Sequence, residues 1–461
     1  MLFEQHYLDC LSQASYVIAD ESTKRAVVVD PRRDVSPYLE TAEEHGLTIE
    51  LVLETHFHAD FLSGHLELAA ATGAEIGYGD VAVTEFESRG FADGERYSLG
   101  DVTIEIRHTP GHTPESISIV VYEHADDETP YAVLTGDTMF IGDVGRPDLL
   151  SSIGVTADEL AGQLYDSLHE QLLTLPDATR VFPAHGAGSA CGKNLSTDTS
   201  STIGEQRAGN YALQPMSKDD FVLAVTEGQP TAPAYFAFDA MLNREKRALL
   251  DEHAEPVSLS VEEVARWQRR GAAVVDTRDP VEFALGHLIG SINIGMAGRY
   301  AEFAGGVVQP GAPIVIVAEE GQQREAKNRL ARIGFDNVVG CLRDAEQAFL
   351  DNPDEVTRGS RLDVAALRDA IASTPELQLV DVRGPGEAEG GMIEGAILAP
   401  LPQLNGMLAS FDASKPTVVY CAGGYRSSIG ASRLVSAGFA DVSDLLGGYG
   451  AWTAAHEAQP A

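Results

Sequence analysis

The second half of the chain contains an internal duplication, and this repeat constrains the fold more than any other feature. Four segments recur at an offset of 103 to 105 residues: Ala273–Arg278 as Leu379–Arg383, Gly286–Ser291 as Gly391–Ala396, Pro313–Val317 as Pro416–Tyr420, and Arg332–Phe335 as Ser436–Phe439. An offset kept over four segments indicates a duplication. Each copy alternates strand and helix, which is typical of a small open parallel sheet. We therefore predict three domains, at residues 1–255, 256–357 and 358–461.

Short β-rich runs alternate with helical stretches in the first predicted domain. The patterns predict a buried strand at Ala26–Asp30, a helix at Ser36–His45 and a second strand at Ile49–Glu54. Further strands are predicted at Val102–Arg107, Ile117–Tyr122, Ala132–Leu134 and Arg180–Val181. This alternation favours a layered α/β architecture.

The composition is that of a globular protein with a very acidic surface. Of the 461 residues, 44% are hydrophobic and 22% are charged, and the net charge is −38. This charge is opposite to that of proteins that bind nucleic acid or anionic membranes, so we expect neither partner. It suits either a host with high internal salt or an ordinary acidic cytosolic protein. Because we see neither a membrane-spanning apolar run nor a secretory signal, we expect a cytoplasmic protein.

Candidate metal ligands follow the ends of predicted strands. His56, His58 and Asp60 come directly after the apolar run Leu51–Leu53, so two imidazoles and a carboxylate share one loop. Three further candidates each follow another strand: His112, Asp137 and His185. Zinc and ferrous iron both accept this mixture of nitrogen and oxygen ligands. The sequence therefore predicts a metal site at an edge of the sheet.

Phe61 interrupts the ligand pattern directly after Asp60. A phenyl ring has no lone pair to donate, so Asp60 and His185 alone make a poor second metal site. The cysteines are scattered, at Cys10, Cys191, Cys341 and Cys421. Their spacing argues against both a disulfide framework and a cysteine-rich zinc site.

Four segments of the first domain carry a more specific motif set: His58–Gly64, Gly111–Ser116, Thr135–Phe140 and Gly142–Leu149. Together they resemble the persulfide dioxygenase (sulfur dioxygenase) family of the metallo-β-lactamase superfamily. The resemblance implies an αββα sandwich and one ferrous ion held by His56, His112 and Asp137, with zinc as the alternative metal. Two histidines and one carboxylate leave open positions for oxygen chemistry, whereas a hydrolase would use two metals to activate water.

Other residues near this site have predicted supporting roles. We expect His58, Asp60 and His185 to orient the ligands or to contact substrate. By the resemblance, Arg146 lies in a loop close to substrate, where it either binds the carboxylate or phosphate of a thiol carrier or forms a plain salt bridge. Cys191 lies six residues after His185 in a Gly-rich loop, and it is either a substrate-facing thiol or structural.

The second copy of the duplication contains a candidate sulfur carrier. Cys421 stands between a strand and a helix predicted to begin at about Ile429. Backbone N–H groups and the positive end of the helix favour a thiolate or persulfide anion there. Gly423 and Gly424 let the loop curl around the sulfur, and Arg426 adds positive charge.

The two copies resemble rhodanese domains, but the first copy departs from the pattern. Its loop Val317–Arg324 contains no cysteine and carries Glu319 and Glu320, which would repel an anionic sulfur. We interpret this copy as a structural or docking domain. Cys341, placed after a predicted strand at Asn337–Val339, is interpreted as a core residue.

These features predict a fusion enzyme. Its iron dioxygenase domain oxidises a persulfide of glutathione, coenzyme A or a similar thiol with O2, giving sulfite and the free thiol. Cys421 moves sulfane sulfur, either to the iron site or onto sulfite to give thiosulfate. Two alternatives stay open: a two-metal glyoxalase II-like thioesterase fused to a sulfurtransferase, and a sulfur carrier or scaffold without turnover at the metal. We expect one Fe2+ per chain and a homo-oligomer.

Overall fold

The computed structural model describes residues 1–149, 155–229 and 232–457. The chain forms two compact units, of which the first comprises Met1–Asp251 with Arg332–Gly334. The second unit comprises Glu252–Ala331 and the chain from Phe335 onward. Within the described ranges, every helix is too short or too polar to span a lipid bilayer.

The first unit is built on two six-stranded sheets. The strands of the first sheet are β1 (Leu2–Leu8), β2 (Gln13–Ala19), β3 (Arg25–Val29), β4 (Thr48–Leu53), β5 (Glu75–Gly79) and β6 (Arg89–Phe91), hydrogen-bonded in that order. The strands of the second sheet are β7 (Arg96–Ser98), β8 (Thr103–His108), β9 (Ile117–Tyr122), β10 (Ala132–Gly136), β11 (Arg180–Pro183) and β12 (Ser201–Thr202), also in sequence order. Parallel pairing runs from β3 to β6 and between β10 and β11, and the other pairs are antiparallel.

Alternating side chains of these strands pack on two faces, which explains their nearly continuous apolar sequences. Val27 and Val29 lie in a core between the two sheets with Ile119, whereas Val28 packs on the opposite face near Tyr38. Helices cover both outer faces: α1 (Ser36–His45), α2 (His65–Thr72), α3 (Ala157–Asp166), α4 (Ile203–Gly209) and α5 (Lys218–Thr226). Helix α6 (Phe236–Leu242) follows α5 in the same unit. A π-helical turn, Ser167–Leu172, extends α3. The predicted αββα sandwich is confirmed.

The second unit contains both copies of the duplication. The first copy has strands β13 (Ser258–Leu259), β14 (Ala273–Asp276), β15 (His287–Leu288), β16 (Ile292–Asn293), β17 (Ile314–Val317), β18 (Val338–Leu342) and β19 (Val356–Thr357). Its helices are α7 (Val261–Gln268), α8 (Pro280–Leu285), α9 (Tyr300–Val307), α10 (Gln323–Ala331) and α11 (Ala345–Asp351). Five strands form a parallel sheet in the order β13-β18-β17-β14-β16, and β15 pairs with β19.

The second copy repeats this arrangement. Its strands are β20 (Ser360–Leu362), β21 (Gln378–Asp381), β22 (Ile397–Leu398), β23 (Thr417–Tyr420) and β24 (Val442–Leu445), and its helices are α12 (Val364–Ser373), α13 (Pro385–Ala388), α14 (Leu404–Met407), α15 (Tyr425–Ser436) and α16 (Gly448–Glu457). The parallel order β20-β24-β23-β21-β22 matches the first copy strand for strand. The predicted pair of open parallel sheets is confirmed.

Two local predictions were wrong. Helix α15 begins at Tyr425, four residues before the predicted start at Ile429. Gly424 has a positive φ of 103°, so the backbone turns from the loop into the helix at once. Cys341 lies within β18 rather than after it, because the strand continues past Gly340 and Cys341 pairs with β17.

Candidate metal centre and sulfur-transfer loop

The loops that follow β4, β8 and β10 bring three predicted metal ligands together in the first unit. The ligand atoms of His56, His112 and Asp137 all lie within 4.8 Å of one another. Asp137 Oδ2 is 3.5 Å from His112 Nε2 and 3.9 Å from His56 Nε2. All three side chains are buried. Two imidazoles and one carboxylate therefore converge on a single point.

This group fits a divalent metal ion. Asp137 Oδ2 is buried and receives no hydrogen bond from any residue that the structure describes. A buried carboxylate oxygen without a donor is costly unless a cation satisfies it. Two histidines and one carboxylate form a donor set that zinc and ferrous iron both accept.

Neighbouring groups set the tautomers of both histidines. His112 Nδ1 lies 2.9 Å from the backbone oxygen of Arg146, which only accepts, so Nδ1 carries the proton. The Thr55 hydroxyl donates to Asp30 Oδ2 at 2.8 Å, and it therefore accepts from His56 Nδ1 at 2.9 Å. In both rings the unprotonated Nε2 is left free to bind a metal.

Burial and neighbouring charges give the same three residues the protonation states that metal binding requires. Burial lowers the pKa of His56 well below its ordinary value and, less strongly, the pKa of His112, so both rings are neutral at pH 7. Burial alone would raise the pKa of Asp137. The charge and hydrogen bond of His185 outweigh that effect and hold the pKa below its ordinary range, so the carboxylate is ionised.

His185 bridges two carboxylates instead of standing free. Its Nδ1 forms a 2.7 Å hydrogen bond with Asp137 Oδ1, whereas its Nε2 lies 2.8 Å from Asp60 Oδ2 but has no hydrogen-bond partner among the described residues. Burial disfavours the charged ring, but the two carboxylates outweigh burial and raise the pKa of His185 well above its ordinary value. Both ring nitrogens therefore face carboxylate oxygens within the protein.

Phe61 and His58 complete the surroundings of this bridge. The buried ring of Phe61 lies 4.3 Å from the His58 ring and 6.2 Å from the His185 ring, between centroids. His58 Nε2 is 3.2 Å from Asp30 Oδ1 and 3.6 Å from Glu54 Oε2. His58, Asp60 and His185 nevertheless form a second group with ligand atoms within 4.8 Å of one another.

The guanidinium group of Arg146 already has partners within the protein. It forms two 2.7 Å bonds to Asp148 and donates to the backbone oxygen of Ala190 at 3.1 Å. The side chain is only 2% exposed. Its predicted contact with a thiol carrier stays a prediction. The structure adds that the backbone of Arg146 orients His112.

Cys191 lies beside the metal site rather than on the surface. Its sulfur is within 4.8 Å of ligand atoms of Asp137 and His185. Burial, with help from Asp60 and Asp137, raises its pKa well above the ordinary value, so the thiol is neutral at pH 7. Both predicted roles of Cys191, as a substrate-facing thiol and as a structural residue, stay predictions.

Sequence reasoning missed two groups that hold the ligand loop. Asn243 donates to the backbone oxygens of His58 and Phe61 at 2.7 and 2.9 Å and accepts from Ser63 N. Asp30 accepts from the backbone and side chain of Thr55. Asp30 directly follows β3, and its position at a strand end was a signal that could have identified it. Asn243 is remote in sequence and carries no local signal.

The loop of the second copy wraps around the Cys421 sulfur. Gly424 N donates to Sγ at 3.1 Å, and Sγ lies 3.7 Å from the Ser427 hydroxyl. Cys421 is 1% exposed. The guanidinium group of Arg426, predicted to face the sulfur, forms two 2.6 Å bonds to Glu387. Its action on the sulfur therefore stays a prediction.

The equivalent loop of the first copy is open and acidic. Ala318 follows β17 where Cys421 follows β23, and the next residues, Glu319 and Glu320, are exposed. A cavity of about 830 Å³ lies beside this loop and is lined by Arg278, Glu282, Glu319, Glu320, Cys341 and Arg343, among others. Cys341 is buried, as predicted.

Family profiles match both halves of the chain. The profile described as "Metallo-beta-lactamase superfamily" matches residues 8–185, and that described as "Rhodanese-like domain" matches residues 260–350 and 363–455. A metallo-beta-lactamase from Staphylococcus aureus of known crystal structure has a TM-score of 0.66 and 31% identity, covering 74% of this chain and 98% of that one. The chain therefore belongs to the metallo-beta-lactamase superfamily and carries two rhodanese-like domains.

Named relatives of the first domain have different activities. A hydroxyacylglutathione hydrolase from Rhodospirillum rubrum is 31% identical over 50% of this chain and 82% of its own length. The mitochondrial persulfide dioxygenase ETHE1 of Homo sapiens is 28% identical over 45% of this chain and 74% of its own length. The chain spans about half of another relative, a beta-lactamase hydrolase-like protein of Xylella fastidiosa. The relatives of the first domain therefore include proteins named as a hydrolase and as a dioxygenase.

Proposed function

We propose that the protein is an iron-dependent persulfide dioxygenase coupled to a rhodanese-type sulfurtransferase. The observation that carries the proposal is the bridge of His185 between Asp137 and Asp60, next to Phe61. Asp60 and His185, the remaining candidate ligands of a second metal, lie 2.8 Å apart as an ion pair, and Phe61 offers no ligand. One metal held by two histidines and one carboxylate favours oxygen chemistry over two-metal hydrolysis.

The proposed reaction balances without a further reductant. A persulfide R–S–SH, dioxygen and one water give the thiol R–SH and sulfite with two protons. The terminal sulfur rises from the sulfane level to sulfite and loses four electrons, which dioxygen accepts. A ferrous ion held by His56, His112 and Asp137 supplies the redox chemistry.

The residues around that ion have definite tasks in this proposal. Thr55 and the backbone oxygen of Arg146 keep both histidine Nε2 atoms unprotonated. His185 orients Asp137 through its 2.7 Å contact. The buried rings of Phe61 and Phe140 flank His185 and exclude water from that side.

The second proposed reaction takes place at Cys421. Its thiolate attacks the outer sulfur of thiosulfate, sulfite leaves, and the cysteine becomes a persulfide; the reverse step makes thiosulfate from sulfite. The N–H group of Gly424 stabilises the anionic sulfur. Because both domains share one chain, sulfite and persulfide can pass between them at high effective concentration.

The test is oxygen uptake and metal content measured on the same full-length sample. With glutathione persulfide or coenzyme A persulfide we expect uptake of one O2 per sulfite formed, with about one iron per chain. His112→Ala should abolish uptake and lower the iron content. His124→Ala, a change at an exposed histidine, is the matched control and should affect neither.

A two-metal thioesterase is the second candidate, favoured by the group His58, Asp60 and His185 and by the similarity to a hydroxyacylglutathione hydrolase. About two zinc ions per chain, with thioester hydrolysis and no oxygen uptake, would establish it in place of the oxygenase. Phe61→His sharpens the distinction. On our proposal this change adds a nitrogen ligand, raises the metal content above one and lowers oxygen uptake.

A further inference from the structure

The cysteine-free copy contacts the sulfur-transfer loop of the other copy through Tyr425. Tyr425 is the first residue of α15 and directly follows Gly424, whose N–H group donates to the Cys421 sulfur. Tyr425 is therefore separated from the N–H group that stabilises the sulfur anion only by one peptide bond and the Gly424 Cα atom.

The side chain of Tyr425 leaves its own copy and packs on the first one. Its hydroxyl donates to the backbone oxygen of Gly295, and its ring lies 5.6 Å from that of Phe303. A Cβ atom at Gly298 would come within 2.8 Å of the Tyr425 ring. Only glycine leaves room for the ring at this position. Burial raises the pKa of Tyr425, so the phenol keeps the proton that it donates.

A second tether holds the same helix. Ser428 donates to Asn293 Oδ1 at 2.7 Å, and Asn293 N donates to the Ser432 hydroxyl at 2.9 Å. Asn293 is fully buried, and its amide also donates to backbone oxygens of Asp276 and Arg278. Positions 425, 428 and 432 recur at helical spacing, so one face of α15 rests on the first copy.

The cysteine-free loop of the first copy also reaches this contact. Glu319 and Gln322 line a cavity of about 200 Å³ together with Gly295 and Tyr425. The cysteine-free loop of the first copy therefore adjoins the tyrosine that borders the Cys421 loop of the second.

We propose that the cysteine-free copy is a platform that positions the Cys421 loop, with Tyr425 and its acceptor at Gly295 as the positioning contact. This inference rests on the proposed sulfurtransferase function of Cys421. It assigns the first copy a task in the reaction although that copy carries no sulfur.

The test is Tyr425→Phe in the full-length chain, which removes the hydroxyl and keeps the ring. We expect kcat for sulfur transfer from thiosulfate to cyanide to fall about 3- to 10-fold with little change in KM, as loss of one hydrogen bond predicts. Alkylation of Cys421 by iodoacetamide, followed on its peptide by mass spectrometry, should need a pH higher by about half a unit or more. Ser428→Ala should change both readouts in the same direction.

Tyr300→Phe is the matched control. Tyr300 is a fully buried tyrosine of the first copy, and its hydroxyl has no hydrogen-bond partner in the part of the chain that the structure describes. This variant should match the wild type in sulfur transfer, alkylation and melting temperature.

Two outcomes would overturn the inference. The first is a Tyr425→Phe protein with wild-type kcat and an unchanged alkylation profile. The second is a variant whose melting temperature and oxygen uptake fall together with sulfur transfer, which indicates general destabilisation. Absence of sulfur transfer in the wild type would instead refute the proposed function, and the alkylation profile would still decide whether Tyr425 positions the loop.

Discussion

The two rhodanese-like copies have the same framework and different loops. Their sheets have the same strand order, and in each copy an aspartate at the end of a central strand pairs with an arginine two residues later. Both arginines also donate to the backbone oxygen of an equivalent glycine, Gly286 in the first copy and Gly391 in the second. After β17 and β23 the copies diverge, with Ala318 and two glutamates in one and Cys421 and two glycines in the other.

The comparison shows that the same framework can carry different loop residues after its central strand. The buried Asp–Arg pair is present in both copies, including the one whose loop has no cysteine. The proposed sulfur chemistry depends on a few loop residues, and the framework accommodates either set of them. For the first copy we infer the task of positioning the Cys421 loop of the second.

Substitution of one cysteine in each copy should reveal the largest difference between the copies, measured as the rate of sulfur transfer. Cys421→Ser removes the nucleophile, and we expect sulfur transfer to fall about 1000-fold or more. Cys341→Ser should leave it unchanged, because the hydroxyl can still donate to the Pro256 oxygen that Cys341 contacts. Oxygen uptake should survive both changes. Loss of uptake in Cys421→Ser would mean that Cys421 must deliver persulfide to the metal.

Loss of the shared ion pair should affect both copies alike. Asp276→Ala and Asp381→Ala each leave a buried arginine without its carboxylate. We expect each change to lower the free energy of unfolding of its own copy by about 3–5 kcal/mol. Asp351→Ala, at an exposed residue, serves as the control and should cost less than about 0.5 kcal/mol. A large effect in one copy only, measured by urea unfolding, would contradict an equivalent framework.

A cysteine placed in the first copy should test the role of its acidic loop. We expect the thiol of Ala318→Cys to be alkylated slowly at pH 7, because Glu319 and Glu320 disfavour a thiolate. Adding Glu319→Ala and Glu320→Gly, which reproduces the residues after Cys421, should accelerate alkylation about tenfold, equal to one pKa unit. Equal rates in the two variants would show that the glutamates do not set the reactivity.

The smallest expected effect concerns the Glu387–Arg426 pair of the second copy. Hydrogen bonds from Arg426 lower the pKa of Glu387 below its ordinary 4.5. The pair therefore stabilises the fold above pH 4.5, and the contribution is lost as the pH falls through the lower folded-state value. Because the pair is partly exposed, Glu387→Gln should cost about 1 kcal/mol or less at pH 7.

Urea unfolding of the wild type and Glu387→Gln between pH 7 and pH 4 measures this difference. The difference in free energy of unfolding between the two proteins should be constant down to about pH 4.5 and should decrease below that pH. Sulfur transfer at pH 7 is the second readout, since Glu387 holds the guanidinium group of Arg426. A difference that widens on acidification would contradict the pairing.

Much of the framework was predictable because its signals are local. The bounds of α1 and β9 follow the predictions, since an amphipathic helix and an apolar strand show their periods within a few residues. The start of α15 was missed because Gly424, which favours a loop in sequence, here turns directly into the helix.

The candidate site, like the framework, was predictable only where its signals are local. The convergence of His56, His112 and Asp137 was predictable because each follows a strand, and strand ends meet at the edges of a sheet. The partners that set their chemistry were not found. Asn243 holds the ligand loop from nearly two hundred residues away, and no local pattern marks it.

The local sequence was enough to predict the duplication, candidate ligands at strand ends, a phenylalanine that interrupts the ligand pattern, and one loop cysteine. Which groups are in contact follows from the packing of the core and could not be read from local patterns. The tertiary structure placed His185 between two carboxylates, engaged Arg146 and Arg426 with acidic partners, and set Tyr425 against Gly295. Periodicity is a property of neighbouring residues, whereas these contacts join segments that are brought together only when the core packs.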